Sequence, residues 1–142
     1  MSSLERAVEL AAKHHAGQCQ RNGTPYLLHP LHVMACVDDP DAKIVAILHD
    51  VVEDTPLTLD ELRAEGFSAE VLEAVRLVTK LDDVSYEDYI DALAHNPLAR
   101  TVKLADLRHN IDLTRLDEVK DNDLERARQY HQAILKLEQA AK

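Results

Sequence analysis

The stretch Asp41-Ala-Lys-Ile44-Val45-Ala-Ile47-Leu48-His49-Asp50-Val51-Val52-Glu53-Asp54 is the most apolar helical segment of the chain. Its apolar residues recur at helical spacing and cover most of the circumference, so it reads as a helix at the centre of the molecule. At about 100° per residue, His49, Asp50, Glu53 and Asp54 nevertheless fall at roughly 0°, 100°, 40° and 140°, one contiguous arc. Ile44, Leu48, Val51 and Val52 lie outside it. Three carboxylates and an imidazole thus share one face of an otherwise buried helix. Crowded like charges repel, and desolvation disfavours their ionisation, so the arc calls for a compensating cation, most economically a divalent metal. The alternative is the solvated stripe of an amphipathic helix. The His-Asp pair by itself decides nothing, since eight histidines among 142 residues produce about one such dipeptide by composition.

Outward from this segment the chain reads as helix after helix. Leu4 to Ala16 is amphipathic, with Ser3 as N-cap and a stop at Gly17. Gln18 to Tyr26 mixes Asn-Gly and Pro with polar residues and is a loop. His29 to Cys36 resumes helical spacing, with Pro30 tolerated at the helix start. Thr58 and Glu61 form a capping box for a short helix to about Glu65. Ser68 heads a helix to about Lys80, Ser85 one to about His95, and Asn96-Pro97 one to about Leu116. Asp121 to Lys142 is a final amphipathic helix. Its face of Tyr130, Ala133, Ile134 and Leu137 is read as closing the core, with pairing to a second subunit as the alternative.

Composition agrees. Only three glycines, one Phe and no Trp disfavour a sheet fold, which needs turn residues at short intervals. Gly17, Gly23 and Gly66 lie too far apart for a Gly-rich nucleotide loop. With 46% hydrophobic residues in 142, the chain can bury one core, and no linker or repeat divides it. The expectation is an all-α bundle of about seven to eight helices, residues 1–142 forming one domain. A formal net charge of -10 argues against nucleic acid as partner. Cys19 and Cys36 match no disulfide framework or CxxC motif, and no apolar stretch is long enough to cross a bilayer or resembles a signal peptide. A cytoplasmic protein with no membrane partner is expected.

Two further clusters bear chemistry. In Thr24-Pro25-Tyr26-Leu-Leu-His29-Pro30, prolines on either side fix the backbone around one imidazole, which reads as a ligand or as a capping or core histidine. In Lys103-Leu-Ala-Asp106-Leu-Arg108-His109-Asn110, Asp106 shares a helix face with Lys103 and Asn110, which also fits a plain ion pair. His29, His49, Asp50 and Asp106 would together offer two imidazoles and two carboxylates from three helices. That set suits Mn, Fe, Co or Zn with positions open to water and substrate.

These pieces resemble the HD-domain metal-dependent phosphohydrolases, and more narrowly their alarmone-hydrolase branch: the hydrolase domain of Rel/SpoT proteins and the stand-alone small alarmone hydrolases. The matching motifs, spread over about residues 5–116, are His15-Ala-Gly-Gln18, Gly23-Thr-Pro-Tyr-Leu-Leu-His29-Pro30, Leu48-His49-Asp50-Val-Val-Glu53-Asp54-Thr55, Val78-Thr79-Lys80 and Val102-Lys103-Leu-Ala-Asp106-Leu-Arg-His-Asn110. The His-Asp-x-x-Glu-Asp extension is the discriminating motif. The resemblance implies His29, His49, Asp50 and Asp106 as Mn²⁺ ligands and Glu53 and Asp54 as the catalytic acidic pair. It also implies removal of the 3′-pyrophosphate of ppGpp or pppGpp to give GDP or GTP. Glu53 is assigned to orient and deprotonate water. Arg21, Asn22, Lys103 and Asn110 are the candidates for holding the small nucleotide substrate; Arg108 is read as a surface residue and Tyr26 as packing.

Departures from the long Rel/SpoT enzymes fall at Gln20-Arg21, at Leu107 and at Leu113. They touch nucleotide recognition, so an adenosine alarmone or an NADPH phosphate stays open as substrate. A non-catalytic nucleotide sensor is the rival reading. The length leaves no room for a synthetase domain, so alarmone synthesis is not expected.

Overall fold

The computed structural model describes residues 3–142. Among them are nine α-helices: α1 Leu4–His14, α2 Leu28–Ala35, α3 Pro40–Leu48, α4 Val51–Asp54, α5 Leu59–Ala64, α6 Ala69–Val78, α7 Tyr86–Ala94, α8 Pro97–Asn110 and α9 Asp121–Ala140. A 3₁₀ turn at Leu113–Arg115 follows α8. The only pairing of extended backbone among these residues is an isolated bridge between Cys19 and Pro25. The all-helical expectation holds.

Local chemistry starts most helices. Side chains of Ser3, Asp39, Ser68, Ser85 and Asn96 each accept the backbone N–H three residues on, and Pro40 and Pro97 occupy first-turn positions. Thr58 and Glu61 form the expected reciprocal box. Gly66 ends α5 at φ +94°, a conformation that disfavours any side chain.

Two boundaries differ from the sequence expectation. Residues 41–54 are two helices, broken at His49 and Asp50. Nδ1 of His49 lies 2.5 Å from the carbonyl of Ala46, the acceptor that the Asp50 N–H would take in a continuous helix. Asp50 sits at φ -104°, ψ -3°, and its carbonyl restarts the ladder at Asp54. The helix from Asn96 ends at Asn110, not near Leu116. There the Asp112 side chain accepts from Thr114 N and Oγ1 at 3.0 and 2.5 Å, and Arg115 Nη1 caps the carbonyl of His109 at 2.9 Å. The first break divides one expected helix into α3 and the single turn α4; the second leaves only a 3₁₀ turn after α8.

Helix α3 is central: Ala42, Val45, Ala46, Ile47 and Leu48 are buried, and α1, α2, α6 and α8 pack around it. The N-terminal ends of α3, α6 and α8 line one groove, so these helices run in the same sense. Their C-terminal ends meet at the other pole. Ala133 and Leu137 of α9 are buried against this core, so that helix closes it, with α7 and α8 as its neighbours.

Candidate metal centre and cleft

Four donor side chains converge at the pole where α3 and α8 end. His29 comes from the first turn of α2, His49 and Asp50 from the break after α3, and Asp106 from the last turns of α8. Nε2 of His29 lies 2.8 Å from Asp106 Oδ1 and 3.8 Å from Asp50 Oδ2. Nε2 of His49 lies 2.9 Å from Asp50 Oδ2 and 3.2 Å from Asp106 Oδ1. Ligand atoms of His29, His49 and Asp50 lie within 4.8 Å of one another, and Asp106 Oδ1 stands within 3.2 Å of both imidazoles. Adjacent ligands of a six-coordinate divalent cation with bonds near 2.1 Å stand about 3 Å apart, so these residues could hold one ion. His29, His49 and Asp106 are buried. Nδ1 of His49 is spent on the Ala46 carbonyl, which leaves Nε2 as the free donor. The negative ends of two helix dipoles add to the attraction for a cation. Mixed imidazole and carboxylate donors, buried and convergent, fit a divalent metal.

The remaining acids surround Asp50. Ligand atoms of Asp50, Glu53 and Asp54 lie within 4.8 Å of one another. Burial first, then Asp50 and Asp54, pushes the Glu53 carboxyl up, against the Lys80 backbone N–H that donates to its Oε1 at 2.7 Å. Burial and Asp50 push Asp54 up as well. Tyr26, expected only to pack, does so against His15 and His29, and its hydroxyl also donates to Asp50 and, at 3.4 Å, to Asp54. The His15-Ala-Gly-Gln18 motif acts here too. His15 Nδ1 meets Gln18 Oε1 at 2.9 Å, and Gln18 Nε2 donates to the Asp54 carbonyl at 3.1 Å, tying α1 to the end of α4.

The four residues expected to touch substrate divide into two pairs. Lys103 and Asn110 belong to Asp106: Lys103 Nζ is 2.8 Å from Oδ2 and Asn110 Nδ2 is 3.0 Å from Oδ1. Burial would raise the Asp106 pKa, but Lys103 and His49 outweigh it and hold the carboxyl well below the usual range. Lys103 also lies 5.3 Å from the Tyr89 ring centre. Arg21 and Asn22 line a cleft of about 320 Å³ that opens beside His29 and Asn110. Arg21 makes a bidentate pair with buried Asp123, and Asn22 Nδ2 donates to the Arg115 carbonyl at 3.3 Å. Arg108 pairs with Glu138 at 3.8 Å on the surface.

The cleft also contains Arg115 and Arg126, absent from the sequence expectation, and Tyr130, expected only to close the core. No local motif marks them; they follow from the turn after α8 and the docking of α9. A larger groove of about 690 Å³ lies at the opposite pole. Its lining includes Asp39, Asp41, Glu70 and Glu73 and no basic side chain.

Residues 7–110 match the HD domain family. A Mycobacterium leprae protein described as a probable GTP pyrophosphokinase is 39% identical over 124 residues, 78% of this chain and 16% of that protein. A guanosine-3′,5′-bis(diphosphate) 3′-pyrophosphohydrolase of Haemophilus influenzae is 38% identical over 117 residues, 72% of this chain and 17% of that one. The chain therefore spans about a sixth of the length of these relatives. Among solved structures, one reported as a metazoan ortholog of SpoT that hydrolyses ppGpp superposes with a TM-score of 0.78 at 24% identity. It covers 96% of this chain and 85% of its own, which establishes the shared fold.

Proposed function

The chain belongs to the HD domain family, and from that premise we propose that it is a divalent-metal-dependent hydrolase that removes the 3′-pyrophosphate of guanosine alarmones. Water and ppGpp or pppGpp would give pyrophosphate and GDP or GTP. The observation that carries the reading is the convergence of His29, His49, Asp50 and Asp106, with Glu53 and Asp54 beside them. The Haemophilus relative, named for this reaction, supports the substrate class. The proposed cation is Mn²⁺, held by those four side chains. Such an ion supplies Lewis acidity toward water and phosphoryl oxygen.

The chain's own residues supply the rest. Glu53, whose pKa burial raises, would take a proton from the attacking water, with its Oε1 held by the Lys80 N–H. Tyr26 holds Asp50 and Asp54 in register through its hydroxyl. Lys103 and Asn110 fix the orientation of Asp106. Arg21, Arg115 and Arg126 supply the basic groups that a polyphosphate needs in a chain of net charge -10, Asn22 adds an amide, and the phosphate would compete with Asp123 for Arg21 and Arg126. The same reading takes the protein to be cytoplasmic, since Cys19 and Cys36 are free and exposed. No helix of the described residues is long and apolar enough to cross a membrane.

The test is pyrophosphate release from ppGpp by Mn²⁺-loaded protein, with Asp50→Ala as control. Release that disappears in the variant supports the proposal; no release, or release undiminished by the substitution, refutes it. A parallel panel of an adenosine alarmone and NADPH identifies the base and the leaving phosphate. Metal and nucleotide binding without turnover would make the protein a sensor.

A further inference from the structure

The surroundings of His29 extend past its contact with Asp106. Its Nδ1 lies 2.7 Å from Nδ1 of His109. The two rings are parallel within 6° with centroids 5.0 Å apart. With the nitrogens that close and the centroids that far, the rings lie edge to edge, so the contact is an in-plane N–H···N hydrogen bond and not a face stack. His109 is itself face-stacked on His32, with centroids 3.8 Å apart at 19°. Its backbone is held by the Arg115 guanidinium on its carbonyl, 2.9 Å away. His32 follows His29 by three residues on α2, and His109 follows Asp106 by three on α8. The packing of α2 on α8 therefore places ligand and support together.

We propose that His109 is the positioning residue that sets His29 as a metal ligand, and that His32 is the plate that holds the His109 ring in plane. The inference rests on the metal centre proposed above. A neutral imidazole carries one proton on two nitrogens. When Nε2 of His29 turns its lone pair to a cation, the proton resides on Nδ1 and is donated to the Nδ1 lone pair of His109. His109 then bears its own proton on Nε2. The other imidazole is fixed in the same sense by a different acceptor, the Ala46 carbonyl. Without His109, the His29 Nδ1–H would lose its acceptor and the ring the bond that sets its rotation.

The experiment measures Zn²⁺ affinity by competition calorimetry for wild type, His109→Phe, His109→Asn and His32→Ala, and records ¹⁵N–¹H spectra of the histidine rings in Zn²⁺-loaded wild type. Phenylalanine keeps a ring on His32 but accepts nothing at the Nδ1 position; the Asn carbonyl oxygen restores an acceptor there. The expected result is a loss of about 10- to 100-fold for His109→Phe, the usual cost of removing a partner behind a metal ligand. His109→Asn recovers most of it, His32→Ala loses less than His109→Phe, and the spectra show His29 protonated at Nδ1. Equal affinity of His109→Phe and wild type overturns the positioning role and leaves the metal centre standing. So does equal loss in the Phe and Asn variants, or a His29 Nδ1 without a proton. Wild type that binds no divalent cation overturns the metal centre and the positioning role together. The spectra need only the unaltered chain, and a scalar coupling across the His29–His109 hydrogen bond, whose absence overturns the positioning role, decides the question even where a variant does not fold.

Discussion

Replacing Lys103 with methionine separates two roles that the sequence left joined. Its ammonium lies 2.8 Å from Asp106 Oδ2, with side-chain exposures of 14% and 4%. Removing one partner of a buried ion pair costs about 3–5 kcal/mol, because the other charge is left uncompensated. Asp106 keeps His29, His49 and Asn110 as partners, which places Lys103→Met at the lower end, about 3 kcal/mol. For a chain of this size each kcal/mol moves the melting temperature by about 3 °C, so metal-free Lys103→Met should melt about 10 °C below wild type. Thermal unfolding followed by circular dichroism measures this, with Asp106→Asn and the double variant completing a cycle. The double variant should cost less than the two singles together by at least about 1 kcal/mol. A divalent cation takes over the compensation of Asp106, so added metal should narrow the gap between Lys103→Met and wild type. If Lys103→Met melts with wild type and only the KM for nucleotide rises, the lysine serves the substrate phosphate and the pairing argument fails.

Tyr26→Phe removes the hydroxyl that donates to Asp50 and Asp54; hydrogen bonds to charged groups contribute about 1.5–3 kcal/mol, so kcat for pyrophosphate release should fall by about 10- to 100-fold. Asp123 is pushed down to about 2 by the Arg21 guanidinium and the Lys120 N–H, against an ordinary value near 4 in the unfolded chain. Its contribution to stability is therefore present above pH about 4 and lost as the pH falls toward about 2. Urea midpoints of wild type and Asp123→Asn should differ at pH 6 and converge in acid. Leu48→Ala empties a fully buried site next to His49 and should cost about 2–5 kcal/mol in urea unfolding.

Much of the fold was legible because helix starts are local events. Ser68, Ser85, Asn96 and the Thr58–Glu61 box each satisfy N–H groups within three residues of themselves, so the chain announces them. The two misplaced boundaries arose where a side chain outcompeted the helical ladder, His49 at the Ala46 carbonyl and Asp112 at Thr114. Periodicity does not register such competition, because the apolar spacing continues through it. The four candidate donors follow from residue type and motif order, whereas the pairing of Lys103 with Asp106 and of Arg21 with Asp123 depends on what each one faces.

An all-helical chain with a buried central segment, and a set of imidazoles and carboxylates in a recognisable order, can be read directly from the residues. Those properties depend on spacing within a few residues and on composition. Helix packing, by contrast, brings His29 to Asp106 across 77 residues and Asp123 to Arg21 across 102, and sets His109 behind His29. Such contacts are set by which helix faces pack together. That choice is made by the burial of the whole core, and no stretch of chain encodes it alone.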